Sequence, residues 1–328
     1  MTIANIPIKP EVSLENYLLS LNDRGDKKRS DIYLTGADKW VRKIWNEVIK
    51  RGFRSLRVTS FIPKNLGVHS MMLYSYKSGK KAIPVSTLYR LLILQKQICN
   101  KSDAELNKSW QAIFLDSIKF SGNRGPKINL PKVINPRLSY LLGWICGDGH
   151  LANYGNHYLI KISEKSTEQL KFINFLVYKL FGVWGKVHRM YKNGYALLIN
   201  SKPLLRFLKN VLEIKVGEIP KIIQKVNNTN IRFFISGLFD SEGSVSKTRN
   251  IITISQTKHD FLTKLQELAL RVGVKFNGPT KHETKLGIWY SIRIEKKTEV
   301  LNFAKKIGSF HVEKSKLLNN LINRISQS

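Results

Sequence analysis

Two short segments decide the fold of this chain: LSYLLGWICGDG at residues 138–149 and FISGLFDSEG at residues 234–243. Each is an apolar run interrupted by small residues, and each ends in an acid followed by glycine. The pattern predicts a helix in which residues four apart, such as Gly143 and Gly147, share one face. Small side chains on that face allow a second helix to approach closely.

The same order of elements follows each segment. Two strand-like stretches come next and finish in Ile-Ser in both copies, at Ile162-Ser163 and at Ile254-Ser255. An amphipathic helix, two more strands and a last helix complete each copy. This internal repeat predicts an α+β fold made of two tandem αββαββα units with pseudo-two-fold symmetry.

Charge and composition restrict the function. The 328 residues include 55 Lys and Arg against 23 Asp and Glu, a formal net charge of +32. Such a charge predicts a polyanionic partner, because each neutralised phosphate releases condensed counterions. The two cysteines, Cys99 and Cys146, exclude a disulfide scaffold and a Cys-rich zinc module. Without a membrane-length apolar run or a secretory layout at residues 1–10, we expect an intracellular protein, cytoplasmic or nucleoid-associated.

Composition divides the chain into five parts. Residues 48–102 contain no Asp or Glu but eleven Lys and Arg, whereas a solvated surface normally mixes both signs. The expected parts are a weakly ordered segment at 1–35, a small helical region at 36–120, a linker at 121–136, and the two repeats at 137–225 and 226–328.

The acid-free stretch contains a helix-turn-helix pattern. Short helices are predicted over 61–66 and 68–77, joined through Gly67, and a third helix over 85–97. The second helix of such a motif lies in the major groove of DNA. The alternative is a helical bundle with a basic surface. The candidate contacts to DNA are Ser70, Tyr74, Ser75 and Lys77.

Leu141–Gly149 and Ile235–Gly243 resemble the two copies of the LAGLIDADG motif of homing endonucleases. The resemblance covers about residues 132–328. It implies that the two motif helices pack together and that two four-stranded sheets form a saddle over double-stranded DNA. It further implies a monomer with internal pseudo-symmetry, preceded here by the helical region.

The acids that end the motifs, Asp148 and Glu242, are the candidate catalytic pair, because in that family these acids meet at the bottom of the helix interface. Adjacent carboxylates repel each other unless a cation lies between them. With the backbone carbonyls of Gly147 and Ser241 and phosphate oxygens nearby, the ligand set favours Mg²⁺. Such a centre can activate water and stabilise a leaving 3′ oxygen. We expect Mn²⁺ to substitute and Ca²⁺ to permit binding without cleavage. The alternative is that the acids cap helices or form surface ion pairs.

The resemblance implies four further site residues. Glu164 and Gln256 each follow an Ile-Ser pair, at a position that helps order water or metal in family members. Lys314 is the better match to a basic residue beside the scissile phosphates, and Lys215 is the weaker one. Either lysine could instead be an ordinary phosphate contact.

Two departures from the motif pattern stand out. Cys146 occupies the place of Asp240 in the second copy, so the first motif lacks its inner acid. Glu242 replaces an aspartate, which adds one methylene group without abolishing metal ligation. Neither change predicts an inactive site.

Strand alternation would turn one face of each sheet towards DNA. The sequence does not separate contacts to bases from contacts to phosphates. Candidates in the first repeat are Asn153, Tyr154, Asn156, Tyr158, Lys161, Lys186, His188, Arg189 and Lys192. Their counterparts in the second repeat are Ser246, Lys247, Arg249, Thr253, Lys281, His282, Lys285, Tyr290 and Arg293.

The leading hypothesis is a site-specific, magnesium-dependent endonuclease that cuts both strands of a long asymmetric DNA target. One alternative is a catalytically inactive DNA-binding regulator on the same scaffold, which the presence of both acids disfavours. The other is an RNA-splicing maturase with intron RNA as its partner. Protein self-splicing is not expected, because the chain begins Met1-Thr2-Ile3 and ends without a His-Asn pair.

Overall fold

The structure is a computed structural model that describes residues 6–7, 32–52, 58–116, 118–122, 125–154, 157–190, 194–285 and 287–327. Most of the segment predicted to be weakly ordered, together with Asn156 and Lys192, lies outside these residues. Within the described part of the chain, no helix has the length and apolarity needed to cross a membrane.

The N-terminal domain is mostly helical, as predicted, but it also contains a small sheet. Its helices are α1 (Asp38–Gly52), α2 (Val58–Leu66), α3 (Ser70–Lys77), α4 (Val85–Cys99) and α5 (Asp103–Leu115). Strands β2 (Tyr33–Thr35), β3 (Ile83–Pro84) and β4 (Lys119–Ser121) pair in the order β3-β2-β4. The apolar faces of these helices and of the sheet meet in a buried core that includes Val41, Leu73 and Leu88.

The expected linker has structure of its own. Within it, β5 (Val133–Ile134) pairs with β1 (Ile6–Pro7), and Ile128 exchanges backbone hydrogen bonds with Phe120 at 2.7 and 2.8 Å. Its composition predicted a linker, and in the structure Ile128 and Ile134 of this segment are fully buried. The linker is therefore packed against the domains that it joins.

Both repeats have the predicted αββαββα order. The first consists of α6 (Pro136–Asp148), β6 (Gly149–Tyr154), β7 (His157–Glu164), α7 (Thr167–Phe181), β8 (Lys186–Arg189), β9 (Tyr195–Asn200) and α8 (Lys202–Arg206), followed by α9 (Lys221–Lys225). The second consists of α10 (Asn228–Glu242), β10 (Gly243–Val245), β11 (Ile252–Gln256), α11 (His259–Arg271), β12 (Asn277–Thr284), β13 (Gly287–Ile294) and α12 (Lys297–Lys306). A further helix, α13 (Val312–Ser326), completes the second repeat.

The two sheets have equivalent topology. The strand order is β6-β7-β9-β8 in the first and β10-β11-β13-β12 in the second, and all neighbouring strands are antiparallel. Along β7 and β11 the isoleucines Ile160, Ile162, Ile252 and Ile254 are buried, while the alternate residues are only partly covered. One face of each sheet is therefore packed against helices and the other is open.

The motif helices α6 and α10 cross at glycine. A Cβ atom on Gly143 would overlap backbone atoms of α10, including the amide nitrogen of Leu238 at 2.6 Å, and one on Gly237 would overlap the backbone of Tyr140. Ser241 in turn packs against Gly147. The predicted close approach through small residues is confirmed, and it brings the C-terminal ends of the two helices together.

Candidate active site and nucleic-acid interface

The structure places Asp148 and Glu242 side by side where the motif helices end. A Cβ atom on Gly147 would lie 2.9 Å from Cγ of Glu242, so the end of α6 touches the acid of α10. Desolvation raises the pKa of Asp148 to about 6. Desolvation also raises the pKa of Glu242 to about 7, and the neighbouring charge of Asp148 adds to this effect. Asp148 is exposed and Glu242 half-buried, so both carboxylates retain access to solvent.

Lys314, on α13, supplies positive charge to this centre. Its Nζ donates to the carbonyl oxygens of Asp240 at 2.7 Å and of Ser241 at 3.2 Å, in the last turn of α10. Those carbonyls lack partners within the helix and carry the negative end of its dipole. Desolvation lowers the pKa of Lys314, while four surrounding carboxylates, Asp148 and Glu242 among them, oppose that shift. The Ser241 carbonyl, predicted as a metal ligand, is thus an acceptor for Lys314.

Glu164 contributes a third carboxylate, held at both oxygens. Its Oε1 accepts backbone N–H groups of Lys165 at 2.6 Å and Ser166 at 3.1 Å, and its Oε2 lies 3.6 Å from Nε2 of His311. Burial alone would raise the pKa of Glu164, but the polar contact with His311 and the hydrogen bonds from the backbone hold it below the usual value. The charge of Glu164 in turn raises the pKa of Asp148.

The orientation of His311 is fixed by its position at the start of α13. Its Nδ1 accepts the backbone N–H groups of Glu313 at 3.2 Å and Lys314 at 3.5 Å, which leaves Nε2 to carry the proton towards Glu164. The buried imidazole also stacks on Trp144 of α6 at 6.4 Å between ring centroids. A residue of the second repeat therefore orients a carboxylate of the first.

The two lysines predicted for the site have different surroundings. Lys215 lies 3.7 Å from Glu218 and its side chain is 73% exposed. The lysine charge that acts on the pKa of Asp148 is that of Lys314. At the end of α6 the backbone N–H of Gly217 donates to the Cys146 carbonyl at 2.9 Å, whereas Lys314 contacts the end of α10.

In the second repeat the partner of the acid is an amide. Nε2 of Gln256 donates to Oε1 of Glu242 at 2.8 Å, so the residue predicted to order the site contacts the catalytic candidate directly. This hydrogen bond favours the ionised form and partly offsets the raised pKa of Glu242.

Asp240, the inner acid of the second motif, joins the two repeats. Its carboxylate accepts the Tyr140 hydroxyl at 2.7 Å, the Ser309 hydroxyl at 2.5 Å and the Phe310 backbone N–H at 2.8 Å. Desolvation raises the pKa of Asp240, and these hydrogen bonds oppose the rise. Cys146, at the matching position of the first motif, is buried and free, and burial raises the pKa of its thiol. The inner acid that only the second motif has thus accepts a hydrogen bond from the first repeat, through Tyr140.

Strand register sorts the candidate DNA contacts of the first sheet. Tyr154, Lys161, Lys186 and His188 lie on the open face, together with His150, which the sequence reasoning missed and whose Nε2 lies 3.0 Å from the Tyr154 hydroxyl. Asn153, Tyr158 and Arg189 lie on the opposite side of the sheet, where Arg189 is exposed at the edge strand. The Tyr158 ring faces the Lys202 ammonium on α8 at 5.3 Å. These three placements correct the predicted surface.

In the second sheet Thr253, His282 and Arg293 lie on the open face. The imidazole of His282 stacks on Trp289, an open-face aromatic residue that the sequence reasoning also missed. The register corrects the placement of Lys281 and Tyr290, which lie on the opposite face. Tyr290 contacts His259 of α11, and Lys281 forms an ion pair with Glu283.

The candidates outside the strands lie in turns. Ser246, Lys247 and Arg249 form the β10–β11 turn, and Lys285 is exposed in the β12–β13 turn. The guanidinium group of Arg324, on α13, donates to the carbonyls of Lys247 at 2.6 Å and Arg249 at 3.0 Å. The same helix that carries Lys314 thus holds this turn in place.

Among the described residues, no three His, Cys, Asp or Glu side chains form a cluster that could hold a metal ion on its own. The acid pair would therefore need oxygens from water or substrate to complete a metal coordination shell. Mg²⁺ is commonly bound in this way, through one or two carboxylates and the phosphates of the substrate.

Tandem αββαββα repeats that cross at small residues, with an acid at each helix end, define the two-motif LAGLIDADG class. The sequence profile of the LAGLIDADG-like domain matches the chain twice, at residues 135–212 and 229–308. The chain belongs to the LAGLIDADG family.

Known proteins resemble parts of this chain. Homing endonuclease I-ApeI of Aeropyrum pernix is 28% identical over 57% of this chain and 87% of its own length. The glutamine–fructose-6-phosphate aminotransferase of Methanocaldococcus jannaschii is 24% identical over 93% of this chain, which spans only 27% of that protein. The crystal structure of I-DmoI in complex with DNA and Mn is similar with 26% identity and a TM-score of 0.42, over 55% of this chain and 99% of that one.

Proposed function

We propose that this protein is a site-specific endonuclease that hydrolyses both strands of double-stranded DNA at a long asymmetric target, with Mg²⁺ as its cofactor. The observation that carries the proposal is the convergence of Asp148 and Glu242 beneath the open faces of two sheets. The net charge of +32 and the similarity to homing endonuclease I-ApeI support DNA as the substrate.

The acid pair fits a divalent cation. Two carboxyl groups whose pKa values are raised to about 6 and about 7 are stabilised in their ionised form when a cation lies between them. Asp148 and Glu242 would hold the metal, and Gly147 is the remaining backbone candidate. When bound, the metal would activate water and stabilise the leaving 3′ oxygen.

The other residues of the centre orient and balance these charges. Gln256 fixes one oxygen of Glu242, and Glu164, held by His311, places a further negative charge beside Asp148. Lys314 provides a cation that can stabilise charge developing on the phosphate. Because the open faces of both sheets flank this centre, His150, Lys161, Thr253 and similar residues would align the duplex above it.

Cleavage of a randomised duplex library tests the proposal. The full chain should cut a subset of sequences with Mg²⁺ and bind the same subset without cleavage with Ca²⁺. Asp148→Asn and Glu242→Gln should each lower the cleavage rate by at least about 1,000-fold, since each removes a metal-binding charge. Affinity in Ca²⁺ should change far less than the cleavage rate.

Leu270→Ala is the matched control, because Leu270 is 66% exposed on α11 and lies outside the centre. Cleavage by either acid variant at the wild-type rate would refute the assignment of the site. Binding in Ca²⁺ without cleavage in Mg²⁺ by the wild-type chain would instead favour the DNA-binding regulator, and preference for intron RNA over duplex DNA would favour the maturase.

A further inference from the structure

Helix α3 carries a surface that the candidate active site does not use. Its Leu73 and Tyr76 are buried in the N-terminal core, at 1% and 5% exposure. On the other side Met71 and Tyr74, one turn apart, are 73% and 67% exposed. They are the most exposed large apolar side chains among the described residues. The packing of the domain therefore does not explain this apolar stripe.

The orientation of α3 is fixed by its neighbours. Gly67 adopts a φ of +63°, which suits the sharp turn from α2, and the His69 imidazole accepts the Met71 backbone N–H at 3.3 Å where α3 begins. At the other end, the Arg42 guanidinium donates to the Lys77 carbonyl at 3.0 Å. The exposed stripe thus stands on a helix held at both ends.

Lys77 has a different role from the one predicted. Its ammonium lies 4.5 Å from the centroid of the Trp45 ring, and desolvation lowers its pKa, with the charge of Arg42 adding to the effect. It is therefore occupied within the domain. Ser75 likewise donates its hydroxyl to the Met71 carbonyl at 2.9 Å, within its own helix. Of the predicted residues, Ser70 and Tyr74 remain exposed on α3.

The surroundings of the stripe are positively charged. Lys64, Lys80 and Lys81 are exposed around α2 and α3, and residues 48–102 contain no acid. The Asp38 carboxylate beside Gly79 is paired with Arg42, so the three lysines have no acid of residues 48–102 to balance them. Duplex DNA supplies phosphates for the lysines and thymine methyl groups for the apolar side chains. A helix is about 10–12 Å wide with its side chains, which suits a major groove about 12 Å wide.

We propose that α3 is the recognition helix of a second DNA-binding site, in which Met71 and Tyr74 contact base edges in the major groove and Lys64, Lys80 and Lys81 contact phosphates. This site lies outside the two repeats. It would extend the recognised sequence beyond the segment bound by the two sheets, and it does not depend on cleavage.

Base preference measured with the full chain tests the site. Duplexes are selected from a randomised library in Ca²⁺ with the wild-type chain, with Met71→Ala/Tyr74→Ala and with Leu270→Ala. We expect the double variant to lose base preference at one end of the selected site and to bind the wild-type sequence about 10-fold more weakly. Leu270→Ala should match wild type, and all three chains should have the same melting temperature.

Salt dependence gives an independent measurement. Lys80→Ala/Lys81→Ala should lower the slope of log affinity against log salt by about 1 to 2, as expected for one or two lost phosphate contacts. Unchanged base preference together with an unchanged slope would overturn the proposal. Equal competition by an RNA duplex of the selected sequence would also overturn it. A failure of Mg²⁺ cleavage alone would count against the proposed endonuclease and leave these binding results unaffected.

Discussion

The two repeats of this protein share a scaffold but differ in how they hold their acids. In both, a helix with an asparagine N-cap, Asn135 or Asn227, ends at a carboxylate beneath an open sheet. Glu242 is contacted directly by an amide of its own repeat, Gln256. Asp148 instead lies beside Glu164, whose carboxylate is oriented by a histidine from the other repeat.

This comparison distinguishes features that both repeats need from features in which they can differ. The helix crossing needs glycine in both repeats, because backbone approaches backbone there. The polar contacts around the acids are free to differ, provided that each acid stays ionised when metal is present. Variants of shared features should therefore behave alike in the two repeats, and variants of unshared features should not.

The largest expected effect concerns the shared crossing. Gly143→Ala and Gly237→Ala each place a methyl group onto the backbone of the partner helix, so the helices must separate. We expect each to cost about 3 kcal/mol of stability and to lower the melting temperature by roughly 10 °C. Thermal denaturation measures both. A gain of about 1 kcal/mol, as alanine gives in an uncrowded helix, would contradict the crossing.

The next effect concerns Lys314, whose contact with the end of a motif helix has no equivalent from Lys215 in the first repeat. Lys314→Met should lower the single-turnover cleavage rate with Mg²⁺ by about 100-fold, because it removes the cation among the carboxylates. Lys215→Met is the matched variant of the first repeat and should cleave at nearly the wild-type rate, since its side chain is exposed beside Glu218. Equal losses of cleavage rate in both variants would indicate that the two lysines act at the site in the same way. Melting curves separate the loss of the hydrogen bonds from Lys314 to the end of α10 from the loss of its charge.

A smaller effect concerns His311. Its contact keeps the pKa of Glu164 low, so His311→Ala should raise that pKa. If the ionised Glu164 carboxylate is required at the centre, the acidic limb of the pH–rate profile shifts upwards, although loss of this charge lowers the pKa of Asp148. We expect a loss of about 10-fold at acidic pH that is largely recovered at alkaline pH. His311→Asn retains an N-cap residue, and a normal melting temperature with a shifted profile would separate orientation of Glu164 from capping of α13. An unshifted profile in both variants would contradict the role of His311.

The smallest effect concerns stability without metal. Because the folded-state pKa of Glu242 is raised from 4.5 to about 7, its ionisation costs stability as pH rises through that window. Glu242→Gln should therefore be more stable than wild type at pH 8, by about 1 kcal/mol after allowance for solvent contact, or roughly 2–4 °C in melting temperature. The gain should vanish near pH 4 and shrink when Mg²⁺ stabilises wild type. Equal stability at pH 8 would argue against the raised pKa.

Local periodicity predicted the repeats, the motif helices and the glycine crossing, because each depends on residues close in sequence. The sequence predicted less well on which face of the sheet each strand residue lies. Asn153 and Tyr158 are paired across β6 and β7, and an error of one residue moves a side chain to the other face. The sequence therefore predicted the sheets correctly and part of their open faces wrongly.

Contacts between distant residues were not predictable. Lys77 is of a residue type that commonly contacts DNA, but it packs on Trp45, which is 32 residues away in sequence. His311 precedes an amphipathic helix, which is a signal for an N-cap, but nothing in the sequence pairs it with Glu164. The sequence identifies Asp240 as the inner acid of the second motif, but only the structure reveals the hydrogen bond that it accepts from Tyr140 across the interface.

Helix α13 has a mechanical consequence. Lys314 near its beginning donates hydrogen bonds to the end of α10, and Arg324 near its end donates hydrogen bonds to the β10–β11 turn. Ten residues of helix span about 15 Å. Helix α13 therefore links the β10–β11 turn to the end of α10, so that a displacement of this turn would move the Lys314 ammonium relative to the carboxylates.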